Sequence, residues 1–332
     1  MTDSRPIVAD GVRTTLYRGG RGQSFAWREV GSLPWDDFSV VLGGGGITGG
    51  AFEAGVLLAL EIDHGVASAA ASRIVGTSAG SIVGSLLALG MNAADVVALL
   101  TDQPTLLSTH GAAFGARRMP GPPSMPLGGI WRFPTPARVA RLARHGVNRR
   151  FPAMLLEMLN VGEFDLRPQL EFLRTTSWPG IDGRLTVCVT DRNTGQRVVL
   201  TEQSGVPLMD AVASSCAVPA IMSPVSVGAA TYVDGGLSSP TNADIAMSVD
   251  SPALVLVISP MSGRSSATAM GNITSKYSAH RLRSEINRFG VHQQVLVIEP
   301  TNDLSPMVVD DALGADRTLD VVTSAFVGSS RH

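Results

Sequence analysis

The chain alternates between short apolar runs and longer amphipathic stretches. Phe38-Ser39-Val40-Val41-Leu42 reads as a buried strand. A brief run of branched and large apolar residues, bounded by turn-formers, suits a sheet better than a helix face. It leads into a glycine-rich stretch at 43–50, and then Phe52, Val56, Leu57 and Leu60 fall at helical spacing. A second run, Arg73-Ile74-Val75, enters Gly76-Thr77-Ser78-Ala79-Gly80 and gives way to Ile82-Val83. Two successive strand–turn–helix units predict βαβ topology: an α/β fold with a mostly parallel central sheet and helices on both faces. More strands are predicted at 185–190, 197–200, 253–258 and 295–298, and helices around 210–216, 275–289 and 319–326.

Two regions break this rhythm. Residues 1–36 are polar with little periodicity, and read as an N-terminal extension laid on a single domain at 37–332. Residues 103–156 hold eight prolines and eight arginines (117, 118, 132, 138, 141, 144, 149 and 150), with no acid among them. An apolar stripe of Val139, Leu142 and Ala143 lies opposite Arg138, Arg141 and Arg144. This reads as a helical cap inserted at about 103–165. Its arginines either meet an anionic lipid surface or pair with acids elsewhere in the fold.

Composition narrows the class. With 332 residues and 44% apolar content, the chain buries a large core, and a net charge of -2 gives no global attraction for nucleic acid. Two cysteines, Cys188 and Cys216, make no disulfide framework and no metal-ligand spacing. No apolar signal core opens the chain, and no uninterrupted apolar stretch is long enough to span a bilayer. A cytoplasmic protein, with at most peripheral membrane contact, is the expectation.

Gly76-Thr77-Ser78-Ala79-Gly80 is G-x-S-x-G in the strand–turn–helix setting that the motif requires. The turn is too tight for side chains at its ends, and its middle residue is pushed into strained backbone at a helix N-terminus. Ser78 is therefore a candidate nucleophile. Six of the eight residues at 43–50 are glycine. Gly44-x-Gly46-x-x-Gly49 fits a dinucleotide fingerprint, but the acids at the required offset, Glu61 and Asp63, end the first helix instead. An oxyanion hole built from the N–H groups of Gly44, Gly45 and Gly46 is the better use, and a packing turn explains only one or two of the glycines.

A nucleophilic serine needs a base. His64, His110, His145, His280 and His332 have no telling context, whereas His292 precedes a late strand and permits a Ser–Asp–His triad. The alternative is Asp234, in Tyr232-Val233-Asp234-Gly235-Gly236. A carboxylate is a weak base at its ordinary pKa, but partial desolvation raises its basicity.

Four blocks in order resemble the patatin-like phospholipase family: Gly44-Gly45-Gly46-Ile47-Thr48-Gly49, Gly76-Thr77-Ser78-Ala79-Gly80, Ala213-Ser214-Ser215-Cys216-Ala217-Val218-Pro219 and Asp234-Gly235-Gly236. The resemblance implies a Ser78–Asp234 dyad, an oxyanion hole from the glycine run, and hydrolysis of fatty-acyl lipid esters without metal or other cofactor. It departs in two places. Cys216 stands where the family usually has alanine, and Thr48 where it commonly has arginine or lysine. The second departure opens the alternative of a catalytically weak, lipid-binding relative.

Overall fold

Residues that alternate sides along the predicted strands pack into two separate cores. Val40 and Leu42 join the core on one face of the sheet, and Val41 joins the other. Leu254, Leu256 and Ile258 divide from Val255 and Val257 in the same way. This period of two, apolar on both sides, is what a central strand covered on both faces requires. The structure is a computed structural model that describes residues 11–103, 105, 107–113, 140, 156–174, 176–178, 183–248, 251–263, 266–289 and 292–330.

Among the described residues the strands are β1 (Val12–Arg18), β2 (Arg21–Ser24), β3 (Phe38–Leu42), β4 (Arg73–Thr77), β5 (Leu185–Asp191), β6 (Arg197–Leu200), β7 (Val225–Val227), β8 (Ala230–Asp234), β9 (Leu254–Ile258) and β10 (Gln294–Pro300). They form one sheet in the order β2-β1-β10-β9-β3-β4-β5-β8-β7, with β6 also paired to β5. The inner strands β10, β9, β3, β4 and β5 are parallel. Both margins are antiparallel, so the sheet is mixed, with a parallel centre.

The helices are α1 (Gly46–His64), α2 (Ala79–Ala88), α3 (Ala93–Thr101), α4 (Thr109–Ala113), α5 (Leu208–Ser215), α6 (Asp244–Ser248), α7 (Ala269–Phe289), α8 (Ser305–Val309) and α9 (Thr318–Ser330). Helices α1, α2, α3 and α5 pack into the larger core, on the face of Val40 and Leu42, while α6 and α7 cover the opposite face through Ala246, Leu282 and Ile286. Among the described residues no helix is long and apolar enough to cross a membrane.

The expected N-terminal extension differs from what forms. Val12–Arg18 pairs antiparallel with β10 from Val12↔Pro300 to Arg18↔Gln294, and buries Val12, Thr14 and Leu16. Threonine at one inward position hid the alternation, because its hydroxyl reads as polar although its methyl packs as a β-branched residue. The expected cap lies outside the described residues for most of its length, and so do its arginines. The described part near its end, at 156–166, packs back on the fold: Leu156 and Leu159 are buried, and Phe164 bridges Met222.

Helix α1 lies close against α9 because Gly55 has no side chain. A Cβ there would sit 2.6 Å from the Val322 carbonyl oxygen and 2.8 Å from the Ala325 Cβ. Gly55→Ala would gain about 1 kcal/mol of helix propensity, and overpacking at a backbone contact costs about 1–3 kcal/mol. A net loss of stability is expected, read as a lower urea midpoint at unchanged slope. A higher midpoint would show that the two helices are not held by this contact.

Candidate active site

The parallel strands all end at one edge of the sheet, and the candidate residues gather there. The tight turn between β4 and α2 places Ser78 at φ 53° and ψ −124°. That backbone is costly for any residue with a Cβ, so the surroundings must impose it. The Ser78 N–H donates to Ser215 Oγ at 2.8 Å, and the Ser215 hydroxyl donates to the Cys188 carbonyl at 2.7 Å. The Ser78 carbonyl accepts from the Ser81 N–H at 2.8 Å and from the Ser81 hydroxyl at 2.7 Å. The flanking glycines are sterically required. A Cβ on Gly76 would lie 2.5 Å from Ser81 Cα, and one on Gly80 would run into the Leu42 carbonyl.

Asp234 ends β8, where it sits opposite Val189 of β5. Its N–H donates to the Ala217 carbonyl at 3.0 Å, and its Oδ1 accepts the Gly236 N–H at 2.7 Å. A side chain on Gly235 would run into the Cys188 carbonyl, so the chain can pass this close only as glycine. Burial pushes the Asp234 carboxyl up to about 6, and hydrogen bonds from the Ser78 hydroxyl and the Gly236 N–H hold it from rising further. Ser78 and Asp234 are thus in contact although far apart in sequence, and both are almost wholly buried.

The glycine run divides. The Gly43 N–H donates to Ile258 O at 3.1 Å, and the Gly44 N–H to Pro240 O at 2.7 Å. Gly44 is therefore corrected as an oxyanion donor, because the Pro240 carbonyl, in the loop after β8, already occupies its N–H. The N–H groups of Gly45 and Gly46 have no partner among the described residues. Gly46, at φ +64°, lines the same cavity as Ser78, and a side chain there would strike the Ala312 carbonyl. Thr48 is fully buried and does not line this cavity: its hydroxyl donates to Val308 O at 3.0 Å, tying α1 to the turn after α8.

His292 is exposed and sits just before Gln294, which is level with Leu254 and Phe38 at the start of the parallel strands. Ser78 follows Gly76, which is level with Leu42 at the opposite end. About six strand residues at ~3.3 Å each set them on the order of 20 Å apart. His280 is exposed on α7, and His64 packs against Trp27. The side chains of His110, His145 and His332 lie outside the described residues.

A cavity of about 310 Å³ opens beside Ser78, walled mainly by apolar side chains including Ile82, Val83, Leu100, Val218 and Met222. Leu100 and Leu166, on its wall, bracket the segment expected to be the cap. Cys216 also lines the cavity, its Sγ 3.8 Å from Ser81 Oγ, and burial pushes its thiol far up, so it is neutral at pH 7. Among the described residues, no three His, Cys, Asp or Glu side chains cluster as metal ligands.

Two residues that the sequence reading did not single out for roles hold this arrangement. Ser215 pins the strained turn, as described above. Asn242, at φ 52°, donates from Nδ2 to Thr77 Oγ1 at 2.9 Å and to Ser239 O at 2.7 Å. Its Oδ1 accepts from Arg197 at 3.2 Å, and Arg197 forks onto Asp244 at 2.7 Å through both nitrogens. Asn242 tolerates positive φ, which was its available signal. Ser215 stood within the third of the four family-like blocks, but its pinning role exists only once α5 lies against β5.

The family model described as "Patatin-like phospholipase" matches residues 40–247. Among solved structures, VipD from Legionella pneumophila is similar at 16% identity and a TM-score of 0.40, over 98% of this chain and 72% of that one. No curated protein matches the chain.

The Asp234 shift has a stability consequence with a definite sign. A carboxyl raised from 3.8 to about 6 keeps a proton in the folded state that the unfolded chain releases. Stability therefore falls as pH rises through that window, by up to about 3 kcal/mol, and is level above it. Asp234→Asn is expected to be more stable than the parent at pH 8, with the gap closing below about pH 4, in urea titrations at both. A parent that is the more stable at pH 8 would sink the account. Separately, Ser215→Ala leaves the buried Ser78 N–H unpaired, at a cost of about 1–3 kcal/mol. It should slow reaction of Ser78 with a fluorophosphonate probe, and an unaltered labelling rate would show that the turn holds itself.

Proposed function

The chain belongs to the patatin-like phospholipase family, and from that membership we propose that it is a lipid acyl hydrolase working through a Ser78–Asp234 dyad. Family membership carries the general activity. The observation that supports the residue assignment is that Ser78, on the wall of an apolar cavity, interacts with the buried Asp234 carboxyl, which burial raises to about 6.

In this reading Asp234 accepts the proton of Ser78 as Oγ attacks the acyl carbonyl carbon. A base with a pKa near 6 is mostly ionised at neutral pH, yet more basic than an ordinary aspartate. The oxyanion is held by the N–H groups of Gly45 and Gly46, which have no partner among the described residues, with Gly46 on the cavity wall. Asp234 returns the proton to the leaving alcohol, and the acyl-enzyme forms. A water, deprotonated by the same carboxylate, then releases the fatty acid and restores Ser78. The strained turn aids each step, since it keeps the serine hydroxyl clear of its own helix.

The cavity accounts for the substrate class. Its apolar walls suit an acyl chain, and its volume lies at the lower end of the range for small-molecule sites. Phospholipids and lysophospholipids are the proposed substrates. A single domain with residues 103–165 as a cap beside the cavity belongs to the same reading. The triad through His292 has no geometric support, since that side chain lies at the opposite sheet edge. Thr48 gives little support to a merely lipid-binding role, because its side chain is committed to the fold and does not face the cavity.

The dyad predicts a ranking of variants. Ser78→Ala should lose covalent fluorophosphonate labelling and all ester turnover. Asp234→Asn should lower turnover by about a thousandfold or more, because an amide of the same shape takes no proton. His292→Ala should retain activity. Parent activity should decline on the acid side with a group titrating near pH 6. A folded Asp234→Asn with near-parental turnover, or an inactive His292→Ala, would remove the dyad.

A further inference from the structure

Helix α7 carries an outward stripe with no partner among the described residues. Met270, Ile273 and Tyr277 are 69%, 63% and 46% exposed, at spacings of three and four residues, so they share one face. Ile62 and Val199, by contrast, stand singly, which is ordinary for a soluble surface. The same stripe continues through Lys276, His280, Arg283 and Arg288, all exposed. Lys276 is the only lysine in the chain. No carboxylate interrupts the stripe. Glu285 is buried on the other face, where it accepts from Thr241 and the Ala243 N–H. Arg283 is shared with Tyr17, and Arg288 lies over the Phe289 ring, so Lys276 is the cation that stands most free.

The position of the stripe gives it meaning. β9 runs parallel to β3 and ends at the same edge as the glycine run, and α7 starts from that edge. Its first turn is stitched to Asp310, which accepts from Thr268 Oγ1 at 2.5 Å and from the Ala267 N–H at 2.7 Å. Three residues further, Leu313 lines the cavity beside Ser78. The apolar end of the stripe is therefore at the edge where the cavity opens, and its cations lie further back. Met270 and Lys276 are six residues apart, about 9 Å along the axis. An interfacial helix sinks such an apolar face ~5–10 Å, with its cations at the phosphate level. The start of α9 and the turn before it also border the cavity, but they carry exposed Asp320 and Asp316.

We infer that the outward face of α7, through Met270, Ile273, Tyr277 and Lys276, docks onto an anionic lipid bilayer and brings the cavity mouth to the membrane surface. This rests on the lipid acyl hydrolase reading for its purpose, but not for its test. The partner is a bilayer rather than a protein groove. The stripe is convex, it has no hydrogen-bonding residue among its apolar members except the tyrosine hydroxyl, and its charge is of one sign. Salt should weaken the cationic part and leave the apolar part.

The test measures co-sedimentation of the full chain carrying Ser78→Ala, so that no turnover alters the lipid. The probes are phosphatidylcholine vesicles with and without phosphatidylserine. Adding Met270→Glu and Ile273→Glu should weaken partitioning at least about tenfold on both. Lys276→Glu should lower only the gain that phosphatidylserine provides, by a few-fold, and added salt should erase the difference. Ile62→Glu, exposed at the far sheet edge, is the control and should change nothing. All of these positions are on the surface, and matched urea midpoints show that the variants fold. Parental partitioning in the double variant, or equal loss in Ile62→Glu, overturns the inference. So does concentration-dependent self-association that Ile273→Glu abolishes, since the face would then be covered by a second copy. Hydrolysis of a short soluble ester by Met270→Glu/Ile273→Glu with Ser78 intact separates the two readings. Its survival with vesicle binding lost supports the docking face. Parental protein that binds vesicles yet cleaves no ester would remove the enzymatic reading and leave the docking face standing.

Discussion

The site depends on one strained residue held in place by a serine from another helix. Ser78 adopts a left-handed backbone that no side chain prefers. The Ser215 hydroxyl takes its N–H and passes a hydrogen bond to the Cys188 carbonyl, so α5 and β5 both brace the turn. The glycines at 76 and 80 permit the bend, and the packed sheet end enforces it. The closeness that forbids a Cβ on Gly80 also brings the end of β3 against the start of α2. The candidate nucleophile and the glycine run are neighbours for this reason.

The second constraint is dielectric. Around Ser78 the chain places mostly apolar side chains, and its buried acids respond accordingly. Desolvation raises Asp234, Glu285 and, most strongly, Glu53 behind the glycine run. Only Asp234 combines a raised carboxyl with a direct contact to the serine. The same burial that makes it a better base makes its charge a cost to the fold at neutral pH, and hydrogen bonds from Ser78 and Gly236 offset only part of that cost. In the proposed mechanism, activity and stability pull on this residue in opposite directions. That tension is common where a site is built from a buried ionisable group.

Sheet topology arranges the rest. Parallel strands present all their carboxyl ends at one edge, so turns from distant parts of the sequence converge there. The cavity, the free glycine N–H groups and the first turn of α7 share that edge. Buried polar contacts around Asn242 lock the loop after Asp234 to Thr77, one residue before the serine. Thr48 does the same for the turn at 308–312, which closes over the glycine run.

The amino-acid sequence by itself determined the local elements. The short apolar runs marked β3, β4, β5 and β9, and the glycines flanking Ser78 and following Asp234 marked two sharp turns, because φ range and Cβ sterics act over a few residues. Two strand–turn–helix units were enough to indicate an α/β sheet. What only the tertiary structure decided was which groups meet. It added β1 to the sheet through pairing with β10, since an edge strand needs a partner more than an apolar run. It gave the Gly44 N–H to the Pro240 carbonyl, and it sent His292 to the far edge by the parallel register. It also recruited Ser215 and Asn242, whose own neighbours in sequence say little about them. Hydrogen bonds and desolvation depend on distances of a few ångströms between residues scores of positions apart, and those distances exist only once the sheet has closed.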